Sequence, residues 1–225
     1  DQVKCKYEVI WNDTEPITID SGEFNYNVNI TFKEDSTHDL IIYCEDALGN
    51  LMQDTETFLV DSTPPETFKT YGDPFFKGEF PKYCQELDNG YQCGWAEWIN
   101  STTPVYLEAK DEKVGVDKIY WRNLLVNNEE AANLICGHLS GFEIQNYCTP
   151  EFYSQYVNLS TSWNEYLEPF NKEEESCHII EYYSVDKLNN TEKINWQCVF
   201  VDNSYPNVIK EIGEPKIIKT TCEGE

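Results

Sequence analysis

The sequence predicts an all-β fold of tandem β-sandwich units, the first incomplete and the second carrying a disulfide-stapled insertion. Three observations predict it. Leu40, Ile42 and Cys44 alternate with Ile41, Tyr43 and Glu45, the period of two that turns every second side chain toward a core. The chain also repeats itself. HDLIIYCEDALGN from His38 is answered by HIIEYYSVDKLNN from His178 at an offset of 140, and VDSTPPETFKTYGDP from Val60 by VDNSYPNVIKEIGEP from Val201 at an offset of 141. Finally, each copy closes on proline, at Asp61 to Pro65 and at Asp202 to Pro206, where the missing amide and fixed φ end a ladder.

Each copy then reads as a hairpin. Ala47-Leu48-Gly49-Asn50 and Lys187-Leu188-Asn189-Asn190 supply the Gly and Asn that tolerate a tight turn, and second strands run to Val60 and Val201. Trp11-Asn12 precedes the first copy much as Trp163-Asn164 precedes the second. Between the copies, Trp98 to Asp111 and Gly115 to Arg122 read as two more strands, with Val105, Leu107 and Ala109 on one face. The stretch from Asn127 to Asn158 has little counterpart in the first copy and is an insertion, with one or two helical turns over Glu129 to Ile135. Proline-bearing connectors between units predict a stiff rod rather than loose beads.

Composition narrows the functional classes. Of 225 residues, 41 are acidic and 16 basic, a formal charge of −25, which repels nucleic-acid phosphates and anionic membrane surfaces. At 40% hydrophobic and 14% aromatic the chain can bury a core, so the acidity belongs to a folded surface and not to a disordered tail. No apolar run of about 18 residues is present to span a membrane as a helix, and the Asp1 start reads as a mature or internal boundary.

Nine cysteines, none in a CxxC pair, point to disulfides formed outside a reducing cytoplasm. Spacing suggests that Cys177 and Cys198 meet across the second hairpin, that Cys136 and Cys148 close the insertion, and that Cys84 pairs locally with Cys93. Cys5 then remains for Cys44, and Cys222 is left for an intermolecular or next-domain partner. Five Asn-x-Ser/Thr sequons, at Asn12, Asn29, Asn100, Asn158 and Asn189, fit an exported glycoprotein.

These residues resemble the repeated immunoglobulin-like domains of archaeal cell-surface proteins, in which Val-Asp-Asn-x-Pro-Pro linkers follow a hairpin of the type Cys-His-x-Ile-Glu-Tyr-Tyr-x-Val-Asp. Here Cys177 to Asp186 is similar to that strand, and Trp98-Ile99-Asn100-Ser101 with Leu107-Glu108-Ala109 to the opening strands. The resemblance covers most of Asp61 to Asp202 and the end of the preceding copy. Tyr205 departs from it by replacing a linker proline, as does the 127–158 insertion. It implies architecture and an extracellular, cell-surface location, not one shared activity. The expected organisation is a partial immunoglobulin-like domain over 1–62, a complete one over 63–204, and a linker with a donor or next-domain strand over 205–225.

No enzyme is expected. Of three histidines, His38 and His178 are repeat-equivalent strand starts, and a position that recurs with the scaffold is a packing or hydrogen-bonding residue far more often than a catalytic one. His138 has no Gly-x-Ser-x-Gly or His-Glu-x-x-His beside it. No cofactor is expected, with one candidate: oxygen ligands from Asp61, Asp111, Asp186 and Asp202 could gather calcium at a domain junction, against the alternative that they cap turns. Phe142, Tyr147, Phe152, Tyr153 and Tyr156 of the insertion either stack on sugars or fill a neighbour's groove, or else cover their own sheet.

Aligning Val3 to Tyr7 with Val116 to Tyr120 leaves the first copy without an equivalent of Pro65 to Lys113, its opening strands. The tail from Asn207, with Val208, Ile209, Ile212, Ile217 and Ile218, matches the start of a further sandwich. Two accounts follow. Copies of the chain join head to tail, the tail of one adding a strand to the first domain of the next, although 19 tail residues cannot replace about 50; or the sequence is a window on a longer run of neighbouring immunoglobulin-like domains. The function expected is a glycosylated, disulfide-bonded surface appendage, filament or coat, the alternative being an adhesive or glycan-binding module of a larger surface protein.

Overall fold

The computed structural model describes residues 3–11, 16–25, 27–32, 35–87, 90–136, 147–211 and 213, with only the backbone for 78–96. The fold is all-β. In the first copy, β1 (Lys4–Trp11), β2 (Ile17–Phe24), β3 (Thr37–Glu45) and β4 (Leu51–Leu59) form one antiparallel sheet in the order β2-β1-β3-β4. Cys5 and Cys44 are directly opposed on β1 and β3 and form a disulfide.

The second copy is thicker. β6 (Phe75–Leu87), β7 (Gly90–Ile99), β9 (Val116–Leu125), β10 (Asn164–Glu165), β11 (Cys177–Asp186) and β12 (Asn195–Val201) form a sheet of order β10-β9-β11-β12-β7-β6. Four of its strands, β10-β9-β11-β12, reproduce the order of the first sheet; β7 then adds in parallel beyond β12, through Val199↔Glu97 to Val201↔Ile99. A separate two-stranded sheet, β5 (Glu66–Tyr71) with β8 (Val105–Lys110), covers one face. Val105 and Leu107 of β8 pack there against Ile180, Tyr182, Val199 and Val201. Lys69 of β5 reaches across to Glu97 of β7 at 3.6 Å, and burial pushes its pKa down to about 8.

The opposite face carries the insertion. α1 (Glu129–Ile135) starts at Asn128, whose side chain accepts the Ala131 amide, and α2 (Pro150–Tyr153) places proline in its first turn, where no intrahelical donor is lost. Ala131, Ala132 and Ile135 meet Leu124 and Ile179 of the sheet. β11 is therefore covered on both sides, and every residue from Cys177 to Tyr182 is buried.

The insertion is stapled differently from the sequence expectation. Cys136 joins Cys177 and Cys148 joins Cys198, so neither the Cys136 to Cys148 loop nor the Cys177 to Cys198 hairpin bond forms. The hairpin register explains this. Cys177 lies opposite Phe200 and Cys198 opposite Ile179, which makes the two cysteines diagonal neighbours, about 7–8 Å apart and beyond normal disulfide reach. Both point to the insertion face, where the ends of α1 and α2 present Cys136 and Cys148. Cys84 and Cys93 are directly paired in the backbone register of β6 and β7. Cys222 lies outside the described residues.

Two strand expectations also change. Trp98 to Asp111 is the end of β7, a turn, and β8, because Asn100 breaks the ladder by accepting from the Thr102 amide and hydroxyl. Trp163-Asn164 is not the counterpart of Trp11-Asn12: Trp11 ends β1, the equivalent of β9, whereas Trp163 leads into β10.

Candidate functional site

Three of the four aspartates expected near the linker converge. Asp61 follows β4, Asp111 follows β8 and Asp186 ends β11, and one carboxylate oxygen from each lies within 4.8 Å of the others. Asp186 is 1% exposed and Asp61 6%; Asp111 is half-buried. Each has a local role. Asp186 Oδ1 accepts the amides of Leu188 and Asn190 while its Oδ2 accepts from the Asn190 side chain. Asp111 Oδ1 accepts from Lys113 and Gly115, and Asp61 Oδ1 from Thr63. Asp61 Oδ2, buried, has no hydrogen-bond partner.

Asp202 stays outside this group. It is exposed and accepts the Ser204 amide, because it is the repeat equivalent of Asp61 and sits at the far end of the second copy. Around the aspartates the connector is tied down at several points. Asn190 Nδ2 donates to the Asp61 carbonyl at 2.9 Å, and Lys113 pairs with Asp35 at 3.5 Å. The Ser62 and Thr63 hydroxyls also donate to Asp35 and hold its carboxyl well below the usual carboxylate range.

The histidines are structural in their contacts. His178 Nε2 lies 2.7 Å from the Glu174 carbonyl and must donate to it, so Nδ1 accepts from Asn123 Nδ2 at 2.9 Å. Burial lowers its pKa and favours this neutral form. His38, fully buried, directs Nδ1 at the Ser36 carbonyl and packs with Phe32 and Phe58. His138 is outside the described residues.

Sequence reasoning missed two buried polar groups. Glu181 takes the Arg122 Nε on one oxygen at 2.6 Å and the Tyr153 hydroxyl on the other at 2.7 Å, joining β9, β11 and α2. Arg122 also lies over the Trp163 ring, 4.5 Å from its centroid. A lone glutamate inside an otherwise buried strand was the available signal. Lys172 sits 4.4 Å from the centroids of both Trp121 and Phe170, and burial lowers its pKa to about 7; no motif marked it.

The insertion aromatics turn inward. Tyr153 is 1% exposed, and Tyr147, Phe152 and Tyr156 pack on the same core; Phe142 is outside the described residues. Of the sequons, Asn29, Asn158 and Asn189 are exposed and Asn100 is half-buried, while Asn12 is not among the described residues. Tail residues Val208 and Ile209 are 86% and 78% exposed; Ile212, Ile217 and Ile218 lie outside the described set. No described helix is long and apolar enough to cross a membrane. No protein-family model matches the chain, and neither does any curated protein sequence.

Proposed function

We propose that the chain is an extracellular structural protein of immunoglobulin-like units joined head to tail, in which a strand from a neighbouring copy, or neighbouring sequence of a longer run of such domains, completes the first unit. One observation carries this reading: the first sheet has the β2-β1-β3-β4 order of the second sheet's β10-β9-β11-β12, and among the described residues it has no counterparts of β7, β6 and the covering β5 and β8 layer. Leu40 and Ile42 occupy the positions whose repeat equivalents, Ile180 and Tyr182, are buried under that layer, and they remain half-buried. The β4 edge is nine residues long, with Leu51 and Met52 78% and 67% exposed, the kind of edge that accepts an added strand.

A strand placed as β7 is on β12 would run parallel to β4 beside Phe58 to Val60, the repeat equivalents of Val199 to Val201. The exposed 205–211 segment offers Val208 and Ile209 for that role, and a junction between copies would bring Asp202 to the Asp46 turn. Disulfides and an all-β fold are compatible with an extracellular setting, and the resemblance to archaeal surface proteins suggests the same. The packing of Tyr147, Phe152, Tyr153 and Tyr156 on the protein's own core favours this reading over the adhesive alternative. The role proposed is non-catalytic.

The test is electron microscopy and sedimentation of the full chain beside a version ending at residue 204. Filaments or oligomers that vanish on truncation support the reading. A full-length chain that stays monomeric at high concentration overturns self-assembly and leaves the longer-chain account, in which strands equivalent to β5–β8, supplied ahead of β1, would protect β4 amides from hydrogen exchange.

A further inference from the structure

The geometry points to a divalent-cation site, of the chemistry that takes calcium, formed by Asp61, Asp111 and Asp186 where the two repeat copies meet. It does not depend on how the chain assembles. Turn capping explains one oxygen of each residue but not the convergence. Asp46 is the repeat equivalent of Asp186 and caps the same turn with the same three bonds, from Leu48, Asn50 and the Asn50 side chain, yet it is only half-buried and, among the described residues, belongs to no such group of three ligands. At the second copy's equivalent turn two further carboxylates, Asp61 from the connector and Asp111 after β8, join Asp186, and Asp61 and Asp186 are buried.

Burying like charges together is unfavourable unless a cation or a proton compensates. Among the described residues no lysine or arginine forms an ion pair with any of the three; Lys113, two residues from Asp111, pairs with Asp35. The buried Oδ2 of Asp61 is the independent sign of a missing ligand, since a buried acceptor without a donor is rare and costly. Three hard oxygen donors, with no sulfur or imidazole among them, suit calcium, which accepts irregular geometry and fills its remaining positions with carbonyls and water. Because Asp61 belongs to the connector while Asp111 and Asp186 belong to the second copy, the ion would fix the angle between copies.

The experiment uses the full chain freed of metal with EDTA. Titration calorimetry with calcium chloride is expected to give one site with a dissociation constant of about 10⁻⁴–10⁻³ M, the range of extracellular modules. At roughly 10 mM calcium the melting temperature should rise by about 5 °C. Asp61→Asn keeps an oxygen for the Thr63 amide and removes the charge, so it should weaken calcium at least tenfold while melting no lower than the metal-free parent. Asp46→Asn should leave the calcium response unchanged. An absent calcium response, an Asp61→Asn protein that binds like the parent, or magnesium raising the melting temperature equally would each overturn the assignment.

Discussion

The β3–β4 and β11–β12 hairpins share a sequence, a register and a turn, and they differ in almost everything around them. In both, an aspartate caps the turn and the residue three on takes positive φ, +81° at Gly49 and +67° at Asn189. Yet His38 is the one buried residue of β3, whereas the first six residues of β11, its counterpart, are all buried. The difference teaches that the hairpin is a local unit, while its burial depends on what is laid over it. The sequence is tuned accordingly: polar Thr37 and Asp39 stand where Cys177 and Ile179 pack against the insertion.

Substitution at matched positions sharpens this comparison. The largest effect should come from Arg122→Met, which strands buried Glu181 without its charge partner and should cost about 3–5 kcal/mol by chemical denaturation. Replacing both Arg122 and Glu181 with apolar residues should recover most of that loss, and failure to recover it would assign the cost to lost packing. Next, Ile180→Ala should cost about 2–5 kcal/mol, and the equivalent Leu40→Ala, at a half-buried site, roughly 1 kcal/mol. Equal losses would show that the first sheet is covered in solution, as an added strand would make it.

Removing the Cys148–Cys198 disulfide by paired serine substitution should cost about 2–4 kcal/mol and loosen the insertion, measured by hydrogen exchange in α1 and α2. The same change at Cys5 and Cys44 closes a loop of similar length, 39 residues against 50, so it should cost a similar amount but leave α1 and α2 protection intact.

The smallest effect is a gain. Burial lowers the Lys172 pKa from 10.5 to about 7 in the folded state, so the unfolded chain binds more protons between these values and stability rises with pH across that window. The penalty is complete below about pH 7 and gone above the unfolded pKa. Lys172→Met should therefore stabilise by about 1–3 kcal/mol at pH 6, the cation–π contacts offsetting part of the gain, with the advantage fading toward pH 10.5. A pH-independent difference would mean that the ammonium is hydrated.

Much of the candidate site was legible. Asp61, Asp111 and Asp186 could be named because each ends a strand beside a turn, and repeat positions showed which turns correspond. Asp202 could not be excluded by the same reasoning, since proximity to a linker does not say which linker. The hairpin of β6 and β7 went unread despite its Asp88-Asn89-Gly90 turn signal and the symmetric spacing of Cys84 and Cys93 about it.

By itself the sequence determined what is local: β periodicity, the repeated turn, the proline stops, the α1 helix and the acidic, cysteine-rich character of the chain. Those features depend on neighbours a few residues away. Tertiary structure alone decided how Cys136, Cys148, Cys177 and Cys198 pair, that Glu181 meets Arg122 and Tyr153, that Lys172 is enclosed by rings, and that three aspartates share one place, whereas Cys5–Cys44 was legible in the sequence. The physical reason is register and layering. A disulfide or a ligand set requires atoms a few ångströms apart, and a shift of two residues along one strand, invisible to spacing, moves a side chain by about 7 Å and gives it a different partner.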